Sequence, residues 1–240
     1  MNFEANLTGG WLRRRYKRFL ADIRLDNGDE ITAHCPNTGA MLGCDQPGSR
    51  VWLSRSDNPR RKYAWTWELV EAEPGVLVGI NTQRTNSIVG EAIIANLIPE
   101  LSTYPSVRSE VTIPGHHSRF DFLLEDAGRP PLVLEVKNVT AAVNHGLALF
   151  PDARSVRATR HVTELQSLLE NGYRSMLLFC VQREDVSRVA PFEEVDPDYA
   201  AALRRAAGHG VMVQAWGCKV DPGAVRLLHQ LSVDLDTACL

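Results

Sequence analysis

The first third of the chain alternates apolar and polar positions over short runs that turn residues separate. Residues 19–25 alternate in this way, Asp26-Asn27-Gly28 supplies a hairpin turn, and residues 31–34 pair back. Three further short apolar runs are bounded by Pro or Gly, at residues 51–53, 66–70 and 76–80. Five or six short strands without a helical stretch between them are typical of a small β-barrel of the OB type.

Near Asn81 the pattern changes to a mixture of helical and strand periods. Apolar residues four apart predict a helix from Asn86 or Ser87 to about Ile98. The other predicted elements are three strands, a helix, a continuous apolar strand, a helix and a last strand, at residues 110–113, 118–124, 132–139, 155–170, 176–181, 196–208 and 211–216. The order is therefore α-β-β-β-α-β-α-β.

The charge is distributed as unevenly as the hydrophobic pattern. The net charge is −3 over 240 residues, yet residues 11–67 carry 11 Arg or Lys against 6 Asp or Glu. From residue 81 onward the count is 15 against 19. Together with the change of pattern, this predicts an OB-like barrel over residues 1–80 and a mixed α/β (α+β) domain over residues 81–240.

Two runs of the predicted barrel mix basic and aromatic residues, at positions 13–18 and 60–67. Arg and Lys contact phosphates, and aromatic faces beside them stack on bases or sugars. A loop at Pro36-Asn37-Thr38-Gly39 could meet phosphate or sugar oxygens. The alternative is a solvated strand edge with its aromatics in the barrel core. The candidate nucleic-acid contacts of the barrel are Arg15, Lys17, Arg18, Asn37, Thr38, Arg60, Arg61, Lys62 and Tyr63.

A candidate metal site lies on two adjacent predicted strands. Glu135 and Lys137 project from one face of their strand, and Asp121 lies on the strand before it. Neighbouring strands are about 5 Å apart, so the two carboxylates can converge on one cation. With the Val136 carbonyl and waters, they suit Mg²⁺ or Mn²⁺, while Lys137 could orient or deprotonate an attacking water. The alternative is a buried ion pair that only orients the strands.

Asp121 followed by Glu135-Val136-Lys137 resembles the PD-(D/E)xK nuclease signature. More of the chain is similar to the sugar fermentation stimulation protein A (SfsA) family, including the run His-Cys-Pro-Asn-Thr-Gly at residues 34–39. Matching stretches are found at residues 15–22, 34–41, 61–63, 66–69, 81–82, 91–93, 119–122, 135–140, 150–153 and 161. The resemblance implies an N-terminal OB-like domain, a nuclease-like C-terminal domain with a mixed central sheet, and binding of DNA, double-stranded and with little sequence preference. It also implies a role in regulating sugar metabolism, particularly that of maltose.

The resemblance carries further residues into the site. Glu91 matches an additional acid that many PD-(D/E)xK proteins use to hold metal or water, and Arg157 and His161 match residues that could contact the scissile phosphate. The alternatives are a half-exposed helix residue for Glu91 and a solvated helix face for the other two. Family members have Arg-Gly where this chain has Arg157-Ala158, so the local loop geometry is open.

Two hypotheses of function stand beside a DNA-binding Mg²⁺-dependent phosphodiesterase. One is a non-enzymatic DNA-binding regulator that keeps the nuclease fold, and the other is a hydrolase of RNA or nucleotides. The longest apolar run, residues 176–181, is too short to cross a bilayer. No secretory leader is visible, and five cysteines without paired spacing favour the cytoplasm. Whether the chain forms a homodimer stays open.

Overall fold

The computed structural model describes residues 1–143 and 146–236. Its first six strands are β1 Thr8–Tyr16, β2 Leu20–Leu25, β3 Glu30–His34, β4 Arg50–Arg55, β5 Trp65–Glu73 and β6 Val76–Gly79. The predicted hairpin joins β2 to β3, and Gly28 in its turn has φ +96°, a conformation that favours glycine. Strands β2 to β6 therefore lie where the short apolar runs predict them, whereas β1 is a further strand that no such run located.

The six strands form one sheet in the order β3-β2-β1-β4-β5-β6. A parallel pairing of Ala33 with Trp65 and of His34 with Thr66 joins β3 to β5, so five strands close into a barrel. Its core contains Leu12, Ile23, Leu53 and Trp67, all almost fully buried. The prediction of an OB-like barrel is confirmed.

The rest of the described chain forms a nine-stranded mixed sheet and three α-helices. The strand order is β10-β11-β13-β15-β14-β12-β9-β8-β7. The helices are α1 Thr85–Ile94, α2 Val156–Glu170 and α3 Pro197–Gly208. The strands are β7 Ser106–Thr112, β8 Arg119–Asp126, β9 Arg129–Val139, β10 Ala142–Val143, β11 Leu147–Phe150, β12 Arg174–Val181, β13 Arg188–Pro191, β14 Met212–Asp221 and β15 Ala224–Val233.

Strand β12 lies in the middle of this sheet and is buried on both faces. Met176 and Leu178 pack in the hydrophobic core that contains α1, whereas Leu177 and Phe179 pack in the core that contains α2 and α3. The sheet is therefore sandwiched between helices, and β9, which carries the candidate site, runs parallel beside β12. No helix among the described residues is long and apolar enough to span a membrane.

Helix ends follow the sequence signals in α2 and α3 but not in α1. Ser155 and Asp196 accept N–H bonds at the starts of α2 and α3, as their positions predict. Helix α1 begins at Thr85, directly after a 3₁₀ turn over Thr82–Arg84 that Asn81 caps. It ends at Ile94, four residues before the predicted end. Because α1 begins before Asn86, the Asn86 side chain does not cap the start of the helix and is free for a different contact.

Four strands in this part were not predicted. Strands β10, β11 and β13 are at most four residues long and form one margin of the sheet. The fourth, β15, pairs antiparallel with β14, and a shift of register after Gly217 interrupts its alternation. Short strands and interrupted alternation both weaken the period of two on which sequence prediction depends.

Candidate functional site

The sheet opens at Asp121. The ladder between β8 and β9 ends at the pair Phe122 and Leu134, although β9 continues along β12. Phe120 and Phe122 pack in different cores on opposite faces, so the side-chain alternation breaks at the residue between them. There the carboxylate takes the place of a strand partner, since Asp121 Oδ2 accepts the Val136 N–H at 2.7 Å.

Glu135 is buried in β9 with an incomplete set of partners. Its residue is 3% exposed. One oxygen, Oε1, accepts a bond from Lys137 Nζ at 2.6 Å and a second from His161 Nδ1. The other oxygen, Oε2, is buried and has no hydrogen-bond partner in the described part of the chain. A buried carboxylate oxygen without a partner is costly unless something else binds it.

The two carboxylates differ in the direction of their pKa shifts. Burial alone would raise the pKa of Glu135, but the His161 hydrogen bond and the Lys137 charge outweigh burial and lower it. Burial and repulsion from Glu135 raise the pKa of Asp121 to about 6, against the bonds from Val136 and Asn86. Negative charge in this cluster is therefore only partly compensated by the protein.

His161 positions Glu135 and does not face a ligand. The ring is 2% exposed, and its Nε2 accepts a bond from Arg157 Nε at 3.3 Å. Because arginine only donates, the ring proton lies on Nδ1, where it is donated to Glu135. The expected phosphate contact of His161 does not fit this burial. Arg157 is exposed and lines the cavity in front of Glu135.

Two residues that sequence analysis missed complete this cluster. Asn86 Nδ2 donates to Asp121 Oδ1 at 2.8 Å and to Glu110 Oε1 at 3.2 Å. Glu110 lies across the β7–β8 pair from Asp121 and has φ +56°, which is uncommon for a residue other than glycine. Its Oε2 is 2.7 Å from Arg119 Nε. Only the hairpin register, which brings Glu110 opposite Asp121, could have indicated it.

The structure does not bring Glu91 to the other acids. It follows Asn86 by five positions on α1 and therefore faces away from Asp121. Its side chain is 59% exposed, and Oε2 lies 2.5 Å from the amino group of Met1. The set that converges at the open end of the sheet is Asp121, Glu135 and Lys137.

These residues line a cavity of about 430 Å³. Its wall also contains Asn86, Glu110, Val136 and Arg157. Among the described residues, no three His, Cys, Asp or Glu side chains stand in an arrangement that holds a metal. A cation here would therefore take Asp121, Glu135 Oε2, the Val136 carbonyl and waters. The unpartnered oxygen and the raised pKa of Asp121 both fit such a cation.

The candidate nucleic-acid residues of the barrel divide into an exposed set and an inward set. Lys17 and Arg18 are exposed in the β1–β2 turn. In the loop between β4 and β5, Arg60 is exposed and Lys62 Nζ lies 5.5 Å from the Tyr63 ring centroid. Arg61 is exposed and donates to the Thr66 hydroxyl at 2.8 Å.

Arg15 and Asn37 belong to the inward set. The Arg15 side chain is 9% exposed and donates to the carbonyls of Arg18, Asn37 and Gly39. Asn37 is 5% exposed, and its side chain accepts the Gly39 N–H at 2.9 Å. Both residues shape the loop over residues 36–41, where only Thr38 of the predicted contacts faces solvent. The expected phosphate contacts of Arg15 and Asn37 do not fit these positions.

Comparison with known proteins places this architecture in one family. Residues 14–80 match the model of the SfsA N-terminal OB domain, and residues 83–224 match that of the sugar fermentation stimulation protein RE domain. A sugar fermentation stimulation protein homolog of Thioalkalivibrio sulfidiphilus is 55% identical over 99% of this chain and 100% of its own. A sugar fermentation stimulation protein homolog of Alkalilimnicola ehrlichii is 54% identical over 97% of this chain and 99% of its own.

A solved structure agrees. The SfsA of Pyrococcus furiosus, in complex with Ca²⁺, superposes with a TM-score of 0.88 at 26% identity and covers 98% of each chain. The chain therefore belongs to the SfsA, or sugar fermentation stimulation protein, family.

Proposed function

We propose that this protein binds DNA with little sequence preference and cleaves phosphodiester bonds with the help of Mg²⁺ or Mn²⁺. The observation that carries the proposal is the buried Glu135 Oε2, which has no partner in the described part of the chain and belongs to a residue that lines one cavity with Asp121. A carboxylate pair that only joined strands would satisfy both oxygens of each acid within the protein.

Asp121, Glu135 and the Val136 carbonyl would hold the ion. When bound, a divalent cation neutralises the phosphodiester and lowers the pKa of a water. The Ca²⁺ complex of the Pyrococcus furiosus relative supports a divalent site in the family, and Ca²⁺ and Mg²⁺ both prefer oxygen ligands. Asp121, whose pKa is raised to about 6, ionises fully above that pH and then has a charge to share with a cation.

The other residues orient the acids and bring positive charge to the cavity. His161 and Lys137 both donate to Glu135 Oε1, which directs Oε2 away from them. Lys137 lies at the wall of the cavity, where its ammonium can hold a water or a phosphate oxygen. Arg157 adds a second positive charge at the same wall. The chain thus supplies two positive charges in the same cavity wall as the two carboxylates.

The first test measures cleavage and binding in the same samples. Supercoiled and linear DNA are incubated with the protein and Mg²⁺, Mn²⁺ or EDTA, beside the Glu135→Ala and Lys137→Ala variants. We expect metal-dependent nicking that falls by at least about 10³-fold in Glu135→Ala and about 10²-fold in Lys137→Ala. Glu30→Ala, on an exposed pair with Arg13, is the matched control. Binding without nicking under any metal would reject cleavage.

The second test concerns the barrel. The triple variant Arg60→Ala, Arg61→Ala and Lys62→Ala removes three exposed charges of one loop. We expect its affinity to fall alike for all DNA sequences and the slope of log K against log salt to decrease by about 2–3. The measurement is a salt titration of fluorescence anisotropy. Unchanged affinity would exclude this loop as the DNA platform.

A second candidate is a non-enzymatic DNA-binding regulator of sugar metabolism, maltose metabolism in particular. The observation in its favour is the Lys137 ammonium, which is engaged by Glu135 and only partly exposed. The names of the relatives, sugar fermentation stimulation protein homologs, agree with a regulatory role. DNA binding that is lost in the triple variant, without nicking by the wild type, would support this candidate.

A further inference from the structure

We propose that a second cavity, beside the candidate metal site, binds one unpaired nucleoside of the substrate. The proposal rests on the proposed function and names the substrate class of the same site. The nucleoside cavity lies between the 36–41 loop of the barrel and the second sheet, and its volume is about 230 Å³. Its wall includes Thr38, Gly39, Asn138, Thr140, Phe150 and Asp152.

The cavity is built by contacts that fix the barrel loop on the second sheet. The Met41 N–H donates to Asp152 Oδ2 at 2.8 Å, and the Thr82 hydroxyl donates to the Pro36 carbonyl at 2.7 Å. A Cβ on Gly39 would lie 2.4 Å from Asp152 Oδ1, so a larger residue there would displace the Asp152 carboxylate from its present position. Arg15 holds the same loop from the barrel side. The recess is therefore preformed.

Several polar groups of the wall have no partner within the described part of the chain. The hydroxyls of Thr38 and Thr140 make no hydrogen bond there. Asn138 Oδ1 accepts bonds from Gln182 and Thr85, whereas its amide N–H₂ group donates to none of the described oxygens. These groups offer both donors and acceptors. The edge of a nucleobase presents both kinds as well.

Charge separates the two cavities. Asp152 is the charged residue of the nucleoside cavity, and its carboxylate repels a phosphate. The neighbouring site cavity also has carboxylates in its wall, but there Lys137, Arg157 and the cation that Asp121 and Glu135 would hold attract one. A ligand that spans both would therefore place its phosphate at the metal site and its neutral nucleoside against Asp152 and the threonines.

The cavities are adjacent, since Thr82, Asn138 and Phe150 line both. A recess of about 230 Å³ is below the range of pockets for drug-sized ligands, about 300–1,000 Å³. It therefore suits one nucleoside and not a base pair. An enzyme that holds a nucleotide in such a recess takes it from a single strand or out of the base stack. The substrate class is therefore DNA with an unpaired nucleotide at the cleaved position.

The test compares Thr140→Val and Thr38→Val with a control, Thr8→Val, in β1, which lines neither cavity. Calorimetry with Ca²⁺ measures binding of thymidine and the four 2′-deoxynucleoside 5′-monophosphates. Cleavage with Mg²⁺ is measured on a single strand and on a relaxed, covalently closed circular duplex, which has no unpaired ends or loops. We expect each cavity variant to weaken monophosphate binding about three- to tenfold, as loss of one hydrogen bond predicts, and Thr8→Val to change nothing. The single strand should be cleaved at least tenfold faster.

The outcomes distinguish the two proposals. Cleavage by the wild type, with monophosphate affinities unchanged in both cavity variants and equal rates on the two substrates, would reject the nucleoside cavity and keep the nuclease. Monophosphate binding that depends on Thr140 without any cleavage would reject the nuclease and keep the cavity, with free mononucleotides as its ligands. Thr38 is exposed, so Thr38→Val decides the matter if Thr140→Val fails to fold.

Discussion

Two glutamates, Glu68 in the barrel and Glu135 in the second sheet, lie in apolar strands and are 1% and 3% exposed. Glu68 has partners on both oxygens. Ser54 donates to Oε1 at 2.7 Å and Asn81 to Oε2 at 2.7 Å, while Arg84 donates to both. Glu135 has both its partners on Oε1 and none of the described residues on Oε2.

The difference separates a structural acid from a binding acid. Asn81 caps the turn that precedes α1, and Arg84 belongs to that turn, so Glu68 joins the barrel to the second part of the fold. Glu135 instead keeps one oxygen without a partner among the described residues, and it lines a cavity together with Asp121. Burial alone therefore does not identify a functional carboxylate; at Glu135 an unpartnered oxygen and a cavity shared with Asp121 are found together.

The largest expected effect comes from the structural acid. Glu68→Gln removes the charge that Arg84 and Asn81 hold, and the amide turns a donor toward other donors. We expect the free energy of unfolding to fall by about 3 kcal/mol, measured by urea denaturation. Glu30→Gln, on an exposed pair with Arg13, should change it by less than about 0.5 kcal/mol. A Glu68→Gln protein as stable as the wild type would remove the distinction between the two glutamates.

The sequence predicts a functional role for Glu135 but no role for Glu68. Glu135 is followed two positions later by Lys137 on a predicted strand, and Asp121 lies on the strand before it, so local patterns indicated the site. Two partners of Glu68 lie 13 and 16 residues further along, and the third, Ser54, lies 14 residues before it. No local period connects them, so Glu68 carried no signal.

The elements of the fold that the sequence predicts are those whose signals lie within the element or next to it. Alternation and turn residues predict the barrel strands β2 to β6, and Ser155 and Asp196 mark the starts of α2 and α3, because these signals are local. The inward course of Arg15, the pairing of Glu91 with Met1 and the left-handed Glu110 depend on contacts between distant segments. Those contacts decide which charged residues reach the site, and the hydrophobic period of the sequence carries no information about them.

The second prediction concerns Asp121, whose negative charge destabilises the folded protein, whereas the charge of Glu68 stabilises it. The pKa of Asp121 in the folded protein, about 6, exceeds its ordinary value of 3.8. The contribution of Asp121 to the free energy of unfolding is therefore fully present below pH 3.8 and is lost as the pH rises through about 6. Without divalent cations, we expect the stability of Asp121→Asn relative to that of the wild type to rise by about 2 kcal/mol between pH 4 and pH 8. Urea denaturation in EDTA at both pH values measures this, and a stability difference that does not change with pH would contradict the uncompensated charge.

The smallest expected effect tests whether the unpartnered oxygen of Glu135 binds a divalent cation. Ca²⁺ at ten times its dissociation constant should raise the free energy of unfolding of the wild type by about 1.4 kcal/mol, which corresponds to a melting temperature about 3–6 °C higher. Glu135→Gln should lose this rise, because an amide does not share negative charge with the ion. Glu91→Gln should keep it, because Glu91 pairs with Met1 away from the cavity. Differential scanning fluorimetry with Ca²⁺ and EDTA compares the three proteins. If Glu91→Gln alone lost the rise, the cation would bind at the end of α1, and the unpartnered oxygen would no longer mark the site.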